Sequence, residues 1–213
     1  MSIKINLNIF LFAILFFFTS QFEIYALMMI FALLHELGHI ICGVILGFHL
    51  KSLKIFPLGF SVEFYTKVED YNKKIKKSNL LILKKIIIDF AGPFVNMFCI
   101  IISIMEGFSD NIIYSNLIIL VVNLIPIYPL DGGRIIKNIL KMFFENKKAY
   151  KYTNKISNIF VVIFSVFSSI AIIYYKNLAI FFSVFFIWIL ILGENKSYNT
   201  YSKIYKKIET EEN

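Results

Sequence analysis

Long apolar stretches, separated by short charged segments, dominate the pattern along the chain. Six of them are nearly free of charged side chains: Ile5–Phe22, Ile24–Leu50, Ile86–Met105, Asn111–Leu130, Ile156–Tyr175 and Asn177–Gly193. A helix of about 20 apolar residues crosses the hydrocarbon core of a bilayer. The pattern predicts an all-α integral membrane protein with six transmembrane helices. The first stretch could also be the apolar core of a signal peptide, but the absence of a small-residue cleavage site after it favours a retained helix.

A shorter pattern follows the second apolar stretch. Residues 53–65 alternate in part between apolar and polar side chains, and they turn at Pro57-Leu58-Gly59. This arrangement is typical of a short β-hairpin. We expect the hairpin at the membrane face, near the His pair described below, although an interfacial loop without a role fits the same residues.

Composition and charge agree with a membrane protein. The chain has 213 residues, of which 58% are hydrophobic, and its formal net charge is +8. The basic residues cluster in the second-to-third and fourth-to-fifth connections and in the tail, as expected of segments facing the cytoplasm and anionic lipid. This distribution speaks against nucleic-acid binding. It predicts a multi-pass protein of the cell membrane with both termini in the cytoplasm.

The second apolar stretch carries the first candidate chemistry, His35-Glu36-Leu37-Gly38-His39. On a helix, His35 and His39 share one face, so one metal ion can accept both imidazoles. Glu36 lies about 100° around the helix, where it can reach a water on that metal. H-E-x-x-H is the spacing of zinc hydrolases, with the Glu as general base. Ionisable groups at membrane depth are also costly, which makes them functional-site candidates.

A third ligand is needed, because a catalytic zinc has three protein ligands and one open position. Asp131 is the best candidate, since it follows Pro126 and Pro129, which cannot continue an ordinary helix. Broken helix at membrane depth is tolerated where it lines protein or a wet cavity. Asp131 could alternatively cap a helix or pair with Arg134.

The third apolar stretch contains Gly92, Pro93 and Asn96. Gly-Pro interrupts helical hydrogen bonding, and small residues permit close helix approach. Asn96 needs a partner within the bundle. We expect a peptide substrate to lose its helicity beside the Gly and Pro residues of the third and fourth stretches, Pro126 among them, although a structural kink would explain Gly92 and Pro93 as well.

Three motifs in this order resemble the site-2 proteases, intramembrane metalloproteases of peptidase family M50: His35–His39, Ala91–Asn96 and Asn123–Gly132. The third motif is similar to the stage IV sporulation protein FB branch. The resemblance implies a metalloendopeptidase with one zinc held by His35, His39 and Asp131, and with Glu36 activating water. It also implies that Asn123 contacts substrate, and that the hairpin, including Phe60, receives substrate as an added strand.

The branch further implies a membrane-associated substrate, a precursor sigma factor in sporulation, and inhibitory membrane proteins as partners. We expect residues 1–195 to form the protease domain and residues 196–213 to be a short cytoplasmic tail without the CBS domain of known sporulation members. Pro57-Leu58-Gly59-Phe60 departs from the usual Gly-Gly of the hairpin. Other hypotheses are cleavage of anti-sigma factors or signal-peptide remnants, and non-proteolytic metal binding or transport.

Overall fold

The computed structural model describes residues 2–57, 59–65 and 75–175, together with Trp188. In chain order, its elements are β1 (Ser2–Ile5), α1 (Asn8–Phe18), α2 (Phe22–Ile45), β2 (Leu50–Phe56), β3 (Gly59–Phe64), α3 (Ile75–Met105), α4 (Asp110–Leu124), α5 (Asp131–Phe143) and α6 (Asn146–Tyr175). The part of the chain so described is mostly helical, as predicted. The sixth predicted span lies outside it apart from Trp188, and the predicted tail lies wholly outside it.

Three helices of the described part are long and apolar enough to cross a membrane: α2, residues 79–105 of α3 and residues 146–170 of α6. They correspond to the second, third and fifth predicted spans. The first and fourth give the apolar but shorter helices α1, with 11 residues, and α4, with 15 residues. At 1.5 Å per residue, α4 extends only about 22 Å. The predicted count of six spanning helices is therefore not established.

A three-stranded sheet accompanies the helices. Strands β2 and β3 form an antiparallel hairpin in which Ile55 pairs with Phe60, which confirms the predicted hairpin. Strand β1 pairs parallel to β2, with Ser2 opposite Ser52. Nothing in the local sequence pattern predicts this pairing, because it joins residues separated by two helices.

The hairpin lies along α2 rather than only at one end of it. Near the C-terminal end of α2, a Cβ at Gly43 would lie 2.4 Å from the Phe64 ring. Further up the helix, a Cβ at Gly59 would lie 3.7 Å from the Cβ of Ala32. At the first turn of α2, the buried Tyr25 hydroxyl donates to the Pro57 carbonyl over 2.9 Å. The hairpin therefore runs along α2 from its first turn to near its C-terminal end, and it passes within one turn of His35 at Ala32.

The central packing is between α2 and α3. A Cβ at Gly38 would lie 2.8 Å from Cγ2 of Val95 and 2.9 Å from the Ala91 carbonyl oxygen, so a glycine is needed for this close approach. Pro93 lies inside α3, and the helix continues through it without a break. The result is that α3 passes directly beside the face of α2 that carries the two histidines.

Candidate metal centre

Helix α2 presents both histidines to the interior of the bundle. His35 and His39 are each 3% exposed, and their Nε2 atoms lie 3.1 Å apart. This proximity follows from the four-residue spacing, which places one side chain about a turn from the other on the same face.

Asp131 reaches the pair from the start of α5. The chain leaves α4 at Leu124, passes through a non-helical segment, and begins α5 at Asp131. A Cβ at Gly132 would lie 2.2 Å from the Leu124 carbonyl oxygen, and one at Gly133 would lie 2.3 Å from a backbone nitrogen of the same connection. The two glycines therefore let the first turn of α5 fold tightly onto the connection that precedes it.

The three side chains converge on one point. Oδ2 of Asp131 lies 2.8 Å from Nε2 of His35 and 3.2 Å from Nε2 of His39. All three residues are buried, and their ligand atoms lie within 4.8 Å of one another. Zinc bonds of about 2.0–2.1 Å in a tetrahedral site place ligand atoms roughly 3.3 Å apart. The donor set and its spacing therefore fit one zinc ion.

The remaining imidazole nitrogens support the same interpretation. Nδ1 of His35 lies 2.7 Å from Oδ1 of Asn96, and Nδ1 of His39 lies 2.6 Å from the Ile88 carbonyl oxygen. Both partners are acceptors, so each Nδ1 donates its proton, and a neutral imidazole then has a lone pair on Nε2. Two lone pairs and a carboxylate facing one another need a cation between them. Metal-binding histidines typically donate their other N–H in this way.

Gly92 leaves room for an ion in this position. A Cβ built at Gly92 would lie 2.4 Å from Nε2 of His39 and 2.5 Å from Nε2 of His35. Any side chain at this point of α3 would occupy the space into which the two lone pairs point. Glycine is therefore required by the metal site as well as by helix packing.

Glu36 lies beside the three ligands but is not one of them. Its side chain is buried at 7% exposure, and Oε2 finds no hydrogen-bond partner among the described residues. It interacts electrostatically with His39, Asp131 and Arg134. A buried carboxylate oxygen without a partner costs free energy unless something binds it. A water at the open position of a metal site would supply that partner.

The other predicted site residues are distributed around this centre. Pro93 is buried in α3, and Pro126 lies in the non-helical connection before α5. The Asn123 amide donates to the Ile119 carbonyl one turn earlier in α4, over 3.1 Å. Phe60 lies in β3. Asn96 is 1% exposed, and its amide oxygen accepts from a ligand rather than facing an open surface.

Two groups near the ligands were not predicted from the sequence. One is the Ile88 carbonyl, which any residue could supply and which no sequence signal reveals. The other is Asn116, whose Oδ1 accepts from Nδ2 of Asn96 over 2.6 Å. The sequence did contain a signal for it, because an Asn in the middle of the apolar fourth stretch needs a partner inside the bundle.

Outside the helices, Glu63 of the hairpin forms ion pairs with Lys54 and, over 3.6 Å, with Lys51. The Lys54 ammonium donates to the Glu63 carboxylate, and the Ser52 hydroxyl donates to the same group over 3.1 Å. The Lys54 bond is the main reason that the pKa of Glu63 lies below its ordinary value.

Arg134 of α5 lies between the candidate site and the hairpin. Its guanidinium lies 3.8 Å from Oδ1 of Asp131 and 3.5 Å from the Ser61 hydroxyl.

Fold and site together define a helical membrane protein with a buried His-His-Asp cluster that could hold a metal ion. The family model for peptidase family M50 matches residues 105–168, which include Asp131. Stage IV sporulation protein FB of Bacillus subtilis (strain 168) is 29% identical over 150 residues, covering 68% of this chain and 50% of that protein. The chain therefore spans about half the length of this curated relative.

A solved structure shares the fold. The site-2 protease from Methanocaldococcus jannaschii matches with a TM-score of 0.66 and 21% sequence identity, over 92% of this chain and 90% of that one. This likeness concerns the fold. The chain is thus similar to peptidase family M50 over residues 105–168 and shares the fold of a site-2 protease.

Proposed function

We propose that the chain is a zinc metalloprotease that cleaves a membrane-associated protein within or near the bilayer. The observation that carries the proposal is the convergence of His35, His39 and Asp131 beside a Glu36 carboxylate oxygen that has no hydrogen-bond partner among the described residues. Similarity to peptidase family M50 supports the same reaction class. A zinc ion bound at such a site supplies Lewis acidity, and it lowers the pKa of a water in its open position to about 7.

The residues of the chain then have separate tasks. The two imidazoles and the Asp131 carboxylate would hold the ion, and Gly92 would keep the space beside it clear. Glu36 takes a proton from the attacking water, whose oxygen bonds to the scissile carbonyl carbon. As the C–N bond breaks, Glu36 passes that proton to the departing amine, so that the carboxylate is regenerated.

A sporulation role follows from the curated relative alone and is part of this proposal. We propose a precursor sigma factor as substrate, inhibitory membrane proteins as partners, and a cytoplasmic position for both termini. Strand β1 supports a position of the N-terminus on the same side as the loop after α2. Its parallel pairing with β2 brings residues 2–5 to the sheet that follows α2. Candidates for the substrate-binding surface are Asn123, Pro126, Gly92, Pro93 and Phe60, whereas both ends of the buried Asn96 amide bond to His35 and Asn116.

Co-expression with candidate membrane-associated precursors tests the proposal. We expect a shorter product with the wild-type chain and its loss in Glu36→Gln, because removing a general base costs about 10²–10⁴-fold. Glu106→Gln, at an exposed carboxylate beyond α3, is the matched control and keeps the product. Glu36→Gln should also retain its zinc. Equal cleavage by Glu36→Gln and wild type would contradict the proposal.

A non-proteolytic metal transporter would behave differently in a second assay. Purified protein in vesicles would carry zinc across the bilayer, and this flux would not require a peptide substrate. Zinc flux without cleavage of any precursor would favour that alternative.

A further inference from the structure

A chain of buried amide hydrogen bonds leads away from one metal ligand across two helices. From α2, His35 bonds to Asn96 of α3 over 2.7 Å. Asn96 donates from Nδ2 to Oδ1 of Asn116 in α4 over 2.6 Å. Asn116 in turn donates from Nδ2 to the Asn96 carbonyl oxygen over 3.1 Å. The two amides are among the most deeply buried polar side chains, at 1% and 0% exposure.

The donor and the acceptor of each hydrogen bond in this series are fixed by the last acceptor, the backbone carbonyl of Asn96. A backbone carbonyl can only accept, so the atom of Asn116 that faces it must be the NH₂ group. The other end of that amide is therefore oxygen, and it must accept from the NH₂ group of Asn96. That leaves Oδ1 of Asn96 facing His35, where it accepts the Nδ1 proton. Neutral His35 consequently has its lone pair on Nε2.

We propose that Asn116 is a positioning residue for the metal centre: it holds the Asn96 amide in one orientation and thereby sets the tautomer of His35. The inference rests on the proposed metal site and deepens it. Without Asn116, the Asn96 amide can turn and present NH₂ to Nδ1 of His35. The imidazole would then protonate at Nε2, the atom that the ion needs.

The second histidine does not depend on such a relay. Nδ1 of His39 donates to the Ile88 carbonyl, which lies in the backbone of α3 and has no donor with which to exchange. Of the two imidazoles, His35 is thus the one whose tautomer depends on a side chain that can turn. A substitution at Asn116 should affect metal binding through His35.

The first test is the zinc affinity of detergent-purified full-length protein, measured by competition with a chelating dye. Asn116→Leu keeps the branched shape of the side chain but removes the hydrogen bonds of the relay, and we expect zinc to bind 10–100-fold more weakly, as for other outer partners of metal ligands. The matched control is Ser115→Ala. Ser115 is equally buried in α4, and its hydroxyl has no partner within the described part of the chain. Ser115→Ala should bind zinc as the wild type does.

A rescue variant separates positioning from packing. In Asn96→Asp/Asn116→Leu, the group facing His35 is a carboxylate, which accepts the Nδ1 proton in either orientation. We expect this double variant to recover zinc affinity to within about threefold of wild type, because carboxylate–histidine–zinc arrangements are favourable. A double variant as weak as Asn116→Leu would overturn the proposal, since Asn116 would then act only through helix packing.

The wild-type protein supplies an independent measurement if Asn116→Leu does not fold. Imidazole ¹⁵N chemical shifts of the zinc-loaded protein, assigned with His35→Gln, should show His35 protonated at Nδ1 and not at Nε2. The opposite tautomer would overturn the proposal. Failure of the wild type to bind zinc would instead contradict the proposed function itself, whereas equal zinc binding by wild type, Ser115→Ala and Asn116→Leu would contradict only the relay.

Discussion

Oδ2 of Asp131 lies 2.8 Å from Nε2 of His35, although 96 positions separate the two residues in the chain. The contact exists because α4 ends before two prolines and the chain begins a new helix at Asp131. It also requires α3 to pack against α2 with Gly92 facing the two histidines. The candidate metal centre therefore depends on several helices, and we expect it to respond to changes that do not touch the three candidate ligands.

Gly92 is not a candidate ligand, but a substitution there should affect zinc binding strongly. We predict that Gly92→Ala abolishes zinc binding without unfolding the protein, because the added methyl group would lie about 2.4–2.5 Å from both ligand nitrogens. Zinc content and thermal unfolding of the purified variant, followed in parallel, measure the two effects. Phe94→Ala, on the exposed side of the same helix, is the control and should retain its zinc. Full zinc occupancy in Gly92→Ala would show that the ion lies elsewhere.

The position of the hairpin depends on a buried hydrogen bond from the Tyr25 hydroxyl to the Pro57 carbonyl. Tyr25→Phe leaves that carbonyl without its donor, and we predict a loss of about 1–3 kcal/mol in the free energy of unfolding. Hydrogen exchange should also become faster at the turn between β2 and β3. Tyr114→Phe, at an exposed position of α4, should change neither quantity. Unchanged exchange at the turn of Tyr25→Phe would mean that the hairpin is held by other contacts.

The hairpin should also weaken in acid. The folded pKa of Glu63 lies below its ordinary value, mainly because of the bond from Lys54. A carboxyl group with a lowered folded pKa contributes stability that is present above its unfolded pKa, about 4.3, and is lost as pH falls through the folded value. We predict that the protection factors of amides in β2 and β3, which correct hydrogen exchange for its intrinsic pH dependence, are constant near neutral pH and fall below about pH 4.3. Glu63→Gln should remove that fall, and an identical profile in the variant would exclude the ion pairs of Glu63 as its cause.

Local spacing was enough to predict the histidine pair and its place on one helical face. The same holds for the hairpin, whose turn residues and partial alternation mark it directly. Asp131 could be proposed because a carboxylate after a doubly interrupted helix has few structural explanations. The metal-ligand assignments themselves stay predictions that metal analysis must test.

Other features depend on contacts that no local pattern contains. The parallel pairing of β1 with β2 joins segments far apart in sequence, and the Ile88 carbonyl is a backbone group that every residue has. Hydropathy also placed span boundaries differently from the structure, since α3 begins at Ile75 within a lysine-rich segment. Charged residues can extend a helix beyond its apolar core, so the loss of hydrophobicity does not mark its end.

The central claim is that His35, His39 and Asp131 together hold one zinc ion. The most direct test is the zinc content and affinity of purified wild type, Glu36→Gln and Asp131→Asn, measured side by side. We predict one zinc per chain in the wild type and in Glu36→Gln, and at least tenfold weaker binding in Asp131→Asn, because an amide oxygen is a poorer ligand than a carboxylate. Undiminished zinc affinity in Asp131→Asn would contradict the account.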